Sequence, residues 1–112
     1  MIKRAAMAGA FLVLTSSVCA AAAPWNVTLH FKLPNGAPAK ASFVRMYYVG
    51  ANYMIVSVAT KTADASGTVV FKVPRTGLCF KAEYGNDGAG RPTHVGGTCV
   101  KDHESSKTVV LD

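Results

Sequence analysis

Asp64-Ala65-Ser66-Gly67-Thr68-Val69-Val70-Phe71-Lys72-Val73-Pro74 decides the fold class of this chain. Its first four residues are turn formers: aspartate and serine bond back to nearby backbone, and glycine accepts a positive φ. Beyond them Val69, Phe71 and Val73 alternate with Thr68, Val70 and Lys72, the period-two spacing of a half-buried strand. Pro74 stops the strand, because proline has no N–H to give to a ladder.

The same grammar runs outward in both directions. Val27, Leu29, Phe31 and Leu33 alternate with Thr28, His30 and Lys32 as far as Pro34-Asn35-Gly36. Ala41 to Val49 and Tyr53 to Thr60 are apolar runs on either side of Gly50-Ala51-Asn52, which predicts a hairpin. Leu78, Phe80, Ala82 and Tyr84 alternate with Cys79, Lys81 and Glu83; a glycine-rich loop over 85–97 follows, then short strands around 98–101 and 107–111. No stretch after Ala23 has helical spacing. Seven short strands with regularly placed turns predict an all-β, two-sheet antiparallel sandwich.

The N-terminus has the composition of an export signal. Lys3 and Arg4 form a positive start, Ala5 to Val18 an apolar run, and Ala20 to Ala23 a small-residue cleavage region. We place the cut after Ala22, with Ala20 as the alternative, so that residues 1–22 are signal peptide and 23–112 the domain. The apolar run is shorter than the ~20 residues a membrane helix needs, so no transmembrane anchor is expected. Cys19 leaves with the signal, because the branched Val18 before it fits a lipidation box poorly. Cys79 and Cys99 then form an even pair, which in an exported chain predicts one disulfide. Removing Lys3 and Arg4 also lowers the formal charge from +6 to +4. The remaining cations are scattered, which suits weak attraction to anionic envelope polymers and not nucleic-acid binding. A periplasmic or secreted location is expected. The Asn26-Val27-Thr28 triplet matches a glycosylation sequon, which an alanine-rich bacterial-style signal makes irrelevant.

Two segments resemble a known family. Pro34-Asn35-Gly36-Ala37-Pro38-Ala39, followed by a strand, looks like the first turn of transthyretin-like and carboxypeptidase-regulatory-like β-sandwich modules. The stretch from Asp64 to Pro74 resembles their second turn-and-strand unit. The resemblance spans about residues 27–84 and implies a seven-stranded Greek-key sandwich used as a binding or spacer unit, with no catalytic residue. The Cys79–Cys99 pair lies outside that pattern.

Three places stand out chemically. In the hairpin, a turn centred on Gly50-Ala51 sets Tyr48 against Tyr53 and Tyr47 against Met54. Both faces are then apolar, with Met46, Tyr47, Tyr48, Tyr53 and Met54 as candidates for contact with a partner protein or a second copy. The alternative is a central hairpin whose outer face is covered by the chain's own long loop. That loop, Tyr84 to Pro92, is expected to be pinned at its base by the disulfide. It lacks the Gly-Lys-Ser/Thr of a phosphate cradle and the acidic density of a calcium loop. Finally, His94, Asp102 and His103 are a candidate metal-ligand set, which with Met46 and Met54 suggests exported copper carriers. A carrier of a metal ion or an anionic ligand is therefore the second functional class, although no cofactor is called for. Six carboxylates without a paired arrangement, and no framed serine nucleophile, point away from an enzyme.

Overall fold

The computed structural model describes residues 24–112. The expected signal peptide lies outside the described residues. Seven strands form two sheets: β1 (Trp25–Lys32), β2 (Phe43–Val49), β3 (Ile55–Thr62), β4 (Thr68–Val73), β5 (Cys79–Tyr84), β6 (His94–Cys99) and β7 (Ser106–Val110). One sheet has the order β4-β1-β7 and the other β3-β2-β5-β6. The fold is an all-β Greek-key sandwich, in which β4 returns beside β1 and β5 beside β2. Among the described residues no helix is long and apolar enough to cross a membrane.

Alternation in sequence becomes layering in space. Val27, Leu29 and Phe31 of β1 and Val69, Phe71 and Val73 of β4 face Val44 and Met46 of β2 and Phe80 and Ala82 of β5. Phe71 meets Phe80 across the layers with ring centroids 5.0 Å apart. Each buried side chain of this size removes enough apolar area from water to contribute about 1.5–3 kcal/mol.

The two segments that carry the family resemblance meet in three dimensions. Asp64 organises the β3–β4 turn, its carboxylate accepting bonds from the Ser66 N–H, the Ser66 hydroxyl and the Thr68 N–H at 2.7–3.0 Å. Gly67 follows with φ +76°, and its carbonyl accepts the Phe31 N–H. A side chain on Gly67 would run into the Phe31 carbonyl and the Ala39 N–H, so the two turns can dock only across a glycine.

Three expectations need correction. β7 runs parallel to β1, whereas every other pairing is antiparallel. The chain leaves β6 in one sheet and enters β7 in the other, and that crossover sets its direction; parallel and antiparallel strands share the same period-two pattern. The sixth strand begins at His94, inside the stretch read as loop. Lastly, Cys79 and Cys99 are bonded, but they form the terminal register pair of the β5–β6 ladder, at the end away from the loop. The disulfide therefore closes the open end of that hairpin, and the base of the glycine-rich loop is instead the Tyr84–His94 pair. Covalent closure over 20 residues contributes about 3 kcal/mol by restricting the unfolded chain.

The sandwich has two poles. One gathers the start of β1, the β2–β3 tip, the β4–β5 loop, the disulfide and the β6–β7 loop. The other holds the β1–β2 and β3–β4 turns and the loop between Tyr84 and His94. Edges are treated unequally. The β6 edge is covered, the Asp112 N–H donating to the Val95 carbonyl and Leu111 packing where Gly96 has no side chain. At the β4 edge the Lys61 ammonium donates to the Val70 carbonyl at 2.7 Å and lies 5.6 Å from the Phe71 ring centroid. The outward edge of β3 takes no backbone bond from another element among the described residues.

Candidate functional site

The β2–β3 hairpin is where surface and fold disagree. On β2, Val44 and Met46 face the core, and Phe43, Arg45, Tyr47 and Val49 face outward. The connection is longer than a two-residue turn. The Gly50 N–H donates to the Met54 carbonyl at 2.7 Å, and Ala51 to Tyr53 make a tight turn between them. Val49 therefore pairs with Ile55, and Tyr48 with Val56 instead of Tyr53. The register slips again between Met46 and Tyr47, so Val58 is an extra residue and is pushed into solvent.

Asn52 and Tyr53 both sit in the left-handed region, each at φ 58°. Asparagine tolerates that conformation, but a bulky aromatic adopts it at a cost of about 1–3 kcal/mol. The result is an aromatic ring held away from the body, 91% exposed, followed by Met54 at 66% and Ile55 at 64%. Val49, Phe43 and Val58 extend this apolar surface along the outward face.

The five hairpin residues expected at an interface thus separate into four environments. Tyr53 and Met54 stand out at the tip. Tyr47 is half-buried on the outward face, across from Cys79. Tyr48 is half-buried against the core with the Arg75 guanidinium 4.4 Å above its ring. Met46, only 2% exposed, belongs to the core and is no surface residue. With both faces of the run apolar, sequence alone leaves the inner face undecided; the structure turns Val44, Met46 and Tyr48 inward. Val49, Ile55, Phe43 and Val58 are exposed as well; the last three belong to the apolar hairpin faces read from sequence but not to the five residues singled out there, and Val49 is an addition. The glycine-rich loop does not cover the tip: it leaves β5 at Tyr84, beside Phe43 and Glu83, at the opposite pole.

The metal-ligand set is not brought together. His94 opens β6, with Nδ1 2.8 Å from the Asp112 carbonyl and its ring tilted against Tyr84. Asp102 and His103 lie beyond the other end of β6, roughly 17 Å along the strand. His103 contacts the Asp102 carboxylate at 2.7 Å and stacks on Trp25, ring centroids 4.8 Å apart. Trp25 is further tied down by its indole N–H, which donates to the Glu104 carbonyl. Met46 is in the core and Met54 at the tip, so neither joins a histidine. Among the described residues no three histidine, cysteine or carboxylate side chains converge on a metal-sized site.

The remaining carboxylates work locally. Bonds from the Ser66 hydroxyl and the Thr68 and Ser66 N–H groups hold Asp64 below the usual carboxylate range. Asp87 is lowered by the Ala89 and Arg91 N–H groups, with the Arg91 guanidinium 3.0 Å away. Glu104 is lowered chiefly by the Lys101 N–H, then by Lys107. Each of the three fastens a loop.

No family model matches the chain. A search of curated proteins gives no match either.

Proposed function

We propose that this chain is a non-catalytic, exported interaction module that binds a protein partner, or a second copy of itself, through the β2–β3 hairpin. One observation carries the reading: Tyr53, Met54, Ile55 and Val49 form a contiguous exposed apolar tip that the fold does not bury. Single exposed apolar residues are ordinary, but a cluster of large ones marks contact surfaces. The left-handed backbone at Tyr53 supports the same reading, because a strained residue persists where its placement serves a use. The disulfide suits an oxidising compartment, periplasmic or extracellular. Kinship with transthyretin-like modules is supported by the two turn segments, which occur in the right order and dock on each other at Gly67.

Photo-crosslinking tests this in cells exporting the chain. A photoreactive residue at position 53 should give a discrete adduct, and mass spectrometry of the adduct separates a partner from a second copy. One at Val70, exposed on the other sheet, should give none. Silence at position 53, or equal labelling at both, refutes the reading.

A further inference from the structure

The outward face of the four-stranded sheet carries a charge arrangement that folding does not favour. Arg45 of β2 and Lys81 of β5 are direct cross-strand neighbours, and both side chains point outward. Like charges placed opposite one another destabilise a sheet. Arg45 has no carboxylate within 4.0 Å among the described residues, and Lys81 has only a loose, exposed contact to Glu83 at 3.8 Å. Thr60 on one side and Gly97 on the other are the flanking register partners, so small residues leave the cation pair open. Apolar side chains stand around it: Tyr47, Val49 and Ile55 towards the tip, and Phe43 and Val95 towards the other pole. By contrast Asp64, Asp87, Asp102 and Glu104 are committed to local bonds, so the chain offers few free anions of its own.

We propose that this face docks an acidic, apolar-interleaved segment of a partner protein, with a carboxylate seated between Arg45 and Lys81 and apolar side chains over Tyr47, Val49 and Ile55. This rests on the hairpin reading above and names the partner's chemistry. A second copy fits the face poorly, because it brings another Arg45–Lys81 pair and a formal charge of +4 for the mature chain. A carboxylate at the pair relieves the cross-strand repulsion, so binding gains from the same charges that cost stability in the free domain.

Two measurements test it. Arg45→Gln should raise the thermal midpoint by about 1–5 °C, because it removes the repulsion; a lowered midpoint overturns the premise. Separately, the mature chain is panned with phage-displayed random dodecapeptides, and the survivors are titrated as synthetic peptides. They should interleave Asp or Glu with apolar residues and bind Arg45→Gln about tenfold more weakly. Lys72→Gln, on the outer face of the other sheet, should leave affinity unchanged. Survivors that ignore Arg45→Gln but weaken on Tyr53→Ser overturn the acidic occupant and leave the hairpin reading standing. Insensitivity to both substitutions, or no survivors, overturns both. Dimerisation of the chain alone that persists in Arg45→Gln assigns the face to a second copy, against the proposal. So does capture on phosphatidylglycerol vesicles in the absence of peptide binding, which assigns it to lipid.

Discussion

The two outward faces of this sandwich obey different rules. On the three-stranded sheet the outward positions are Asn26, Thr28, His30 and Lys32 of β1, Thr68, Val70 and Lys72 of β4, and Ser106, Thr108 and Val110 of β7. This is an ordinary wet face with two isolated valines. On the four-stranded sheet the β2–β3 half presents Phe43, Tyr47, Val49, Ile55 and Val58 with Arg45 among them. Folding requires each strand to offer one apolar face, and the inner positions meet that need in both sheets. A second apolar face is therefore not something the sandwich itself requires, and it is the feature on which the proposed partner contact rests.

Substitutions break the comparison open in order of size. Phe71→Ala empties a fully enclosed site between the sheets and should cost about 3–5 kcal/mol, read as a lowered denaturation midpoint. Replacing Cys79 and Cys99 together by serine should cost about 2–5 kcal/mol without moving any strand, checked by thermal melts. Gly67→Ala should cost about 1–3 kcal/mol, because the left-handed φ and the Phe31 carbonyl both oppose a side chain. On the apolar outward surface, Ile55→Ser should change stability by no more than about 0.5 kcal/mol while abolishing the adduct formed from position 53. An outward substitution that destabilises like an inward one would erase the distinction. Tyr53→Gly sharpens it further: relief of the left-handed strain should leave the domain as stable or slightly more so, while partner binding falls away.

Acid gives the smallest and most diffuse effect. Asp64, Asp87 and Glu104 have folded pKa values below their unfolded ones, so in acid the unfolded chain binds more protons. Their contribution is present above the ordinary carboxylate range, about pH 4, and fades as pH falls through the lowered values. Melting midpoints should be flat from neutrality to about pH 5 and decline below it. Asp64→Asn should reduce that decline, and an unchanged slope would sink the assignment.

Much of this was legible in the chain. Alternation found the strands because the inner positions must be apolar, and cysteine counting found the bridge. The bridge's position was not legible, since a spacing of 20 residues does not say where between the cysteines the turn lies. The hairpin register was missed for two physical reasons. Tyrosine is a poor left-handed residue, so nothing in Asn52-Tyr53 announced a five-residue connection, and a bulge at Val58 has no sequence mark of its own. Met46 falls among the interface candidates for a different reason: both faces of the run are apolar, so alternation groups it with Val44 and Tyr48 without saying that this face is the inner one. The Arg45–Lys81 pair was invisible because it depends on which strands are neighbours, which alternation cannot give.

The parallel pairing of β1 with β7 has a consequence in time. Trp25 is held by Glu104, 79 positions later, and β1 lies between β4 and β7 in its sheet. The first strand to emerge is thus completed by the last, and contacts of such range are formed slowly. The smaller sheet therefore stays open on one side of β1 until β7 has been supplied, and its completion is the last event in the order of the chain.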